Sequence, residues 1–324
     1  MPTISNLRAP DQYLTNFSLK VAQDQTQFKA ANMLPRINVE QQSGIYRIYD
    51  SENLRKPQAR PVASGTQTTA GSFDYQRGNY YAELRGLHLD LDPILRANAT
   101  DIDLERDATR HLTTQMMLER ENRFYSTFMT AGEWGRDMTG VAATPGTDEF
   151  VYFDDASSDP VGVIQDAMLR QQIASGGFLP NTAFMSRRVY NTLLRHPDVL
   201  DRIVYSSSNS PAVANDQALA AIFGLRQIVV LETVVTGADG ESQFLGDNQI
   251  LVAYLDGSAG PQSVTAMAMF NWVGLGRYLQ LGNSVTRMDH PLLQGTIRLE
   301  SLWADHMAIV APSLGTLMSG VLST

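Results

Sequence analysis

The sequence predicts an α+β fold, on three observations. Residues 101–130, DIDLERDATRHLTTQMMLERENRFYSTFMT, place Leu104, Ala108, Leu112 and Met116 four apart, and Phe124 and Phe128 extend the stripe. That spacing is one face of a helix. In NYYAELRGLHLDLD, residues 79–92, Leu87, Leu89 and Leu91 alternate with His88, Asp90 and Asp92, the period-2 pattern of a half-buried strand. Between 159 and 203, helix, strand and helix signals follow in close order. The expected architecture is a spine helix, a mixed sheet and a central helix–strand–helix lobe.

The 324 residues suit one large domain or two ordinary ones. The chain is 43% hydrophobic, enough for a real core, and 18% charged, below the roughly 25% of ordinary soluble domains. A surface with few charges suits coverage by partners, or simply a large fold. Net charge is −9 and the pI about 5.0, so no global basic field is present to grip a nucleic-acid backbone. Lysine occurs only at Lys20, Lys29 and Lys56; every later cation is arginine, which suits planar carboxylate contacts at interfaces or reflects genomic base composition. The absence of cysteine excludes disulfides, thiolate catalysis and Cys-based zinc sites. MPTISNLRAP lacks a signal pattern, and no apolar run approaches the length of a membrane span.

Taken in order, residues 1 to about 36 are polar and weakly patterned and read as an extended arm, ordered only where something holds it. GIYRIYD (44–50) and 79–92 read as strands. Residues 51–72 between them hold two prolines, two glycines, Arg55, Lys56 and Arg60, but only Leu54 and Val62 as larger aliphatics. Such a loop either lacks structure or projects from the body to dock elsewhere. The flanking strands favour a long hairpin, and a lone hairpin is marginal in water. Asp101 or Thr100 is expected to cap the spine helix, whose thirty residues would span roughly 45 Å. A short strand, EFVYF, precedes a helix capped by Asp159 with Pro160 at its first position; Gly176 and Gly177 end it. Thr182–Met185 reads as a buried strand, Ser186 as the cap of a helix with Val189, Tyr190, Leu193 and Leu194 inward, and His196-Pro197 as its stop. Asp198 is expected to cap a following turn, DVLDRI. A helix ending at Phe223-Gly224, a buried strand LRQIVVLETVV, strands at 250–255 and 264–272, and two strands around 295–302 and 306–311 follow. The last two are separated by a polar edge at Ala304-Asp305.

Sites of chemistry are not legible. GLGRY (274–278) lacks the third glycine of a dinucleotide loop and sits in a strand-like context. Asp154-Asp155 reads as a solvated turn rather than a cation site. The five histidines show no metal spacing, and the spine helix has no HExxH. Ser186 and His196 lie at opposite ends of one helix, roughly 15 Å apart, too far for a nucleophile and its base. No catalytic residue, metal or cofactor is expected.

The motifs do carry a family likeness. DPVGVIQDAMLRQQIASGGFLPNTAFMSRRVYNTLLRHPDVLDRI (159–203), AIFGLRQIVVLE (221–232) and DHMAIVAPSLGTLMSGVL (305–322) resemble tailed-bacteriophage major capsid proteins with the Hong Kong 97-type fold. The order of parts fits as well. The resemblance implies an N-terminal arm at 1–43, an E-loop hairpin at 44–85, a P-domain at 86–149 and 291–324 with its spine helix at about 101–130, and an A-domain at 150–290. It implies a non-enzymatic virion protein whose pentamers and hexamers close into an icosahedral shell around double-stranded DNA, without sequence-specific binding, assembled in the bacterial host cytoplasm. Expected partners are copies of itself, a separate or cleaved scaffolding protein, a portal and a decoration protein. Arg55, Lys56, Arg60 and Arg77 are the expected inter-subunit contacts of the E-loop. Some relatives cross-link an E-loop lysine; Lys56 reads instead as solvated or salt-bridged. Two other readings stay open: an encapsulin-like compartment shell, and a cytosolic hydrolase whose site is unrecognised.

Overall fold

A 25-residue helix, α3 (Leu104–Phe128), and a 13-residue strand, β14 (Ile297–Ile309), lie against each other and organise the chain. The computed structural model describes residues 14, 18, 27–49, 57–71, 75–98, 103–206, 216–236, 240–257, 260, 263–279, 281–282, 284–290 and 292–323. Strand β14 is the centre of the first sheet. One edge pairs with β4 (Glu83–Leu91); the other pairs first with β13 (Val285–Asp289) and then with β12 (Met267–Trp272), all antiparallel. Strand β1 (Arg36–Val39) extends β12 in parallel.

The second sheet runs in the order β6 (Glu149–Val151), β5 (Arg136–Val141), β15 (Gly315–Ser319), β11 (Gln249–Ala253), β7 (Thr182–Ser186), β8 (Gln227–Leu231). Alternate residues of a strand face opposite sides, and here both sides are covered. Ala183, Met185, Ile228, Val230, Ile250 and Val252 meet Ile164 and Met168 of α4 (Pro160–Ser175), Val189 and Leu193 of α5 (Arg187–Leu193), and Leu219 and Phe223 of α7 (Asp216–Phe223). Their neighbours Phe184, Val229, Leu231, Leu251 and Leu317 meet Phe124 and Phe128 of α3, with Met267, Met269 and Met307 of the first sheet. Burial on both faces is why QIVVL and QILVA are unbroken apolar runs rather than alternating ones.

Local signals set the helix ends. The Asp159 carboxylate accepts from Gly162 N–H at 2.8 Å, Pro160 opens α4, and Gly176 closes it in the left-handed region at φ 85°. The Ser186 hydroxyl accepts from Val189 N–H at 3.4 Å. Gly140 of β5 lies against Gly320, whose carbonyl oxygen would sit 1.8 Å from an added Cβ. Gly140→Ala is therefore expected to force β5 from β15 and to cost roughly 3 kcal/mol, at the upper end of overpacking. A thermal midpoint unchanged from the wild type would refute this close approach.

Several expectations are corrected. Within the described part of the leading segment, 27–34 is packed rather than extended: Phe28, Ala30, Ala31 and Leu34 are buried, and Ala30–Met33 form a short helix, α1. Alanines pack there with little apolar bulk, which is why the segment looks polar. The strand at 79–92 is two, β3 (Tyr75–Tyr81) and β4, interrupted at the buried Ala82. Helix α3 begins later than expected, and Asp103, not Asp101 or Thr100, accepts from Arg106 N–H at 3.2 Å. LRQIVVLETVV divides into β8 and β9 (Val234–Thr236), with β9 paired to β10 (Ser242–Phe244). DVLDRI is no turn but part of α6 (Pro197–Ser206). Its first turn is closed by His196, whose Nδ1 accepts from Asp198 N–H at 3.3 Å; the Asp198 carboxylate turns to Arg202 instead. GLGRY forms a short 3-10 helix at Gly274–Arg277 rather than a strand. The polar edge at Ala304-Asp305 is absent: β14 runs straight through it with Asp305 only 2% exposed.

Candidate functional site

Two features stand out from the packed body: a projecting hairpin and a buried arginine cluster at its root. The hairpin pairs β2 (Ser43–Tyr49) with β3, from Ser43 opposite Tyr81 to Tyr49 opposite Tyr75. Its inner face is built by tyrosine over glycine. Gly44 lies opposite Tyr80 and Gly78 opposite Tyr46, and a Cβ at either glycine would lie within 2.7 Å of the facing ring. The two rings therefore lie flat across the strands and onto Phe270 of β12, at centroid distances of 5.2 and 4.8 Å. The Tyr46 hydroxyl donates to the Ile309 carbonyl at 3.3 Å, and burial raises its pKa. Ala82 N–H donates to the Gln42 carbonyl at 2.7 Å and fixes the base.

The outer face is open. Ile45 is 62% and Tyr81 54% exposed, and Arg47, Tyr75 and Arg77 share that side. Residues 57–71 beyond the strands are exposed throughout. A turn at Ala63–Thr66, with Thr66 N–H donating to the Ala63 carbonyl at 3.1 Å, gives that stretch local order. Of the expected contact residues, Arg60 lies there exposed, Arg77 lies on the outer face of β3, and Arg55 and Lys56 fall outside the described residues.

At the root, Asp305 of β14 is held by two guanidinium groups of α3, from Arg120 and Arg123, each at 2.5 Å. The Arg120 guanidinium also lies 3.1 Å from the Trp303 ring centroid. Burial lowers the Arg120 pKa and Asp305 works against that shift. Glu119 joins Arg123 at 2.9 Å and Arg85 of β4 at 3.1 Å, and Arg85 reaches Glu83. Burial likewise lowers the pKa of the neighbouring His306. Next to Arg120 in the same turn, Glu121 is 1% exposed and accepts from Ala31 N–H at 3.2 Å. Its burial raises the carboxyl pKa to about 7. This arrangement clamps helix to sheet and arm to helix. Sequence reasoning missed it because the charges sit inside an apolar stripe.

The polar residues weighed as chemistry are engaged in structure. His196 is buried, its Nε2 3.3 Å from Ser158 Oγ and 3.2 Å from the Asp155 carbonyl. Ser186 caps α5. Asp154 accepts from Ser323 N–H at 3.0 Å, and Asp155 from Ser157 N–H at 2.9 Å. His290 accepts through Nδ1 from Leu292 and Leu293 N–H at 3.1 and 3.0 Å. Among the described residues, no group of three or more His, Asp or Glu could hold a metal, and no helix is long and apolar enough to cross a membrane.

No family model matches the chain. Among solved structures, a phage-related protein from Bordetella bronchiseptica RB50 superposes with a TM-score of 0.69 at 15% identity, covering 97% of this chain and 98% of that one. The capsid of cyanophage P-SCSP1u gives 0.56 at 14%, covering 90% and 87%. A virus-like particle from Pyrococcus furiosus gives 0.52 at 14%, covering 95% and 100%. These likenesses establish the Hong Kong 97-type fold, which phage capsids and other particles share, so fold alone does not choose between them. The sequence does. A major capsid protein of Burkholderia phage BcepMu is 26% identical over 270 residues, 82% of each chain. Along most of its length the chain is thus similar to a tailed-phage major capsid protein. The homologues are structural capsid proteins rather than enzymes.

Proposed function

We propose that this capsid protein assembles with copies of itself, as pentamers and hexamers, into the icosahedral head shell of a tailed phage, enclosing double-stranded DNA without reading its sequence. The shell forms in the host cytoplasm with a separate scaffolding protein and a portal, and it takes a decoration protein where one is present. The observation that carries this reading is the relation to a phage major capsid protein along 82% of both chains. In this reading residues 1–43 are the N-terminal arm, 44–85 the E-loop, 86–149 with 291–324 the P-domain and 150–290 the A-domain. Arg55, Lys56, Arg60 and Arg77 contact neighbouring copies. The net charge of −9 supports a wall that does not hold the duplex tightly.

Native sizing and negative-stain microscopy of the purified protein test this. Capsomers, tubes or closed particles are expected; a monomer or dimer that forms none of them under any condition refutes it. Deleting 54–66 is expected to leave the subunit folded but to block assembly, because the described part of that stretch is exposed throughout. Normal particles from the deletion would remove the hairpin tip from assembly.

A further inference from the structure

The outer face of the β2–β3 hairpin sets two like charges against each other. Arg47 and Arg77 sit directly opposite each other across the two strands. Like charges in that position destabilise a strand pair. The Tyr75 ring lies beside both, 4.9 Å from the Arg47 guanidinium and 6.0 Å from that of Arg77, which offsets only part of the repulsion. Among the described residues neither arginine has an ion-pair partner. Exposed apolar groups, Ile45 and Tyr81, lie on the same face.

Charge distribution says what would sit there. Residues 43–81 hold five cations and three acids, a net of +2, in a chain whose net charge is −9, which leaves −11 for the remainder. The hairpin is thus a cationic strip on an acidic molecule. A carboxylate placed between two guanidinium groups accepts from both and cancels their repulsion, while flanking apolar groups exclude water from the contact. We propose that Arg47 and Arg77, with Tyr75 beside them, clamp a carboxylate side chain from the acidic body of a second copy of this chain. The proposal rests on the self-assembly reading above and names the chemistry of one of its contacts. A phosphate backbone is the less suitable occupant, since duplex binding draws on a broad basic face and this one holds two cations among apolar groups.

Arg47→Glu tests the clamp, because it turns the like pair into an opposite one. In the free subunit, amide exchange over 43–49 and 75–81 is expected to slow several-fold. Assembly of the same variant, followed by sedimentation and microscopy at 150 mM salt, is expected to fall at least tenfold in particle yield. Arg77→Gln, which removes the repulsion without adding a charge, is expected to lower the yield as well. Wild-type yield from both variants overturns the clamp while leaving the shell reading intact; wild-type protein that never assembles overturns both. Binding of a 30-base-pair duplex by the free wild-type subunit that Arg47→Glu abolishes would assign the pair to phosphate and overturn the carboxylate.

Discussion

Asp305→Ala is expected to destabilise the folded subunit by about 3–5 kcal/mol, the cost of breaking a buried ion pair by removing one partner. The carboxylate is 2% exposed and holds both Arg120 and Arg123 at 2.5 Å. Removing it leaves two guanidinium groups facing each other at the helix–sheet contact. Arginine keeps its proton in proteins, so neither can escape by neutralising. Arg120 retains the Trp303 ring and Arg123 retains Glu119, which holds the loss below that of two isolated buried charges. Asp305→Asn keeps the volume and one acceptor and is expected to lose roughly half as much. Chemical denaturation of unassembled subunits measures both. Amide exchange should localise the Asp305→Ala effect to α3 and β14, with the α4–α7 lobe less affected, because that lobe packs on the far face of the second sheet. A loss below about 1 kcal/mol for Asp305→Ala, within the range of exposed pairs, would show that the cluster is not a clamp.

The same residue marks the limit of what the sequence reveals. Asp159, Pro160, Gly176 and Ser186 were legible because each acts within a few positions of its own helix end. The first hairpin strand was legible from its Ile and Tyr content, the second only from Asn79 onward and merged with β4, and the exposed loop from its Pro, Gly and lack of aromatics. Asp305 was not. A carboxylate between Ala304 and His306 signals a strand edge unless its partner is known, and that partner, Arg120, is 185 positions away. Ala31 and Glu121 are 90 apart, so the leading segment reads as loose until the helix that holds it is in place. The outward face of the hairpin follows the same rule. Alternation separates Arg47 from Tyr46, but only the ring of Phe270 decides which of the two faces inward. Local signals fixed the elements; long-range pairing of polar groups fixed how they join, and no periodicity encodes that.

Glu121 supplies a pH dependence with a definite sign. Its carboxyl is raised from 4.5 to about 7, first by burial, against the opposing pull of the Ala31 and Ala30 N–H groups and of Arg120. The folded subunit therefore keeps a proton that the unfolded chain releases near its ordinary value. Stability from this group is fully present below pH 4.5, falls as pH rises through the window to about 7, and stays lost above it. The charge that appears there sits where the spine helix meets Ala30–Met33, so the segment 27–34 is expected to exchange faster at pH 8 than at pH 5.5 after correction for intrinsic rates. Glu121→Gln keeps an acceptor for Ala31 N–H and cannot ionise. It is expected to be more stable than the wild type at pH 8, by on the order of 1–3 kcal/mol, to differ little at pH 5, and to show equal protection of 27–34 at both. Histidines titrate in the same window, and the difference between variant and wild type removes their contribution. If the two proteins lose stability in parallel between pH 5 and 8, Glu121 is not the group that couples the arm to the spine.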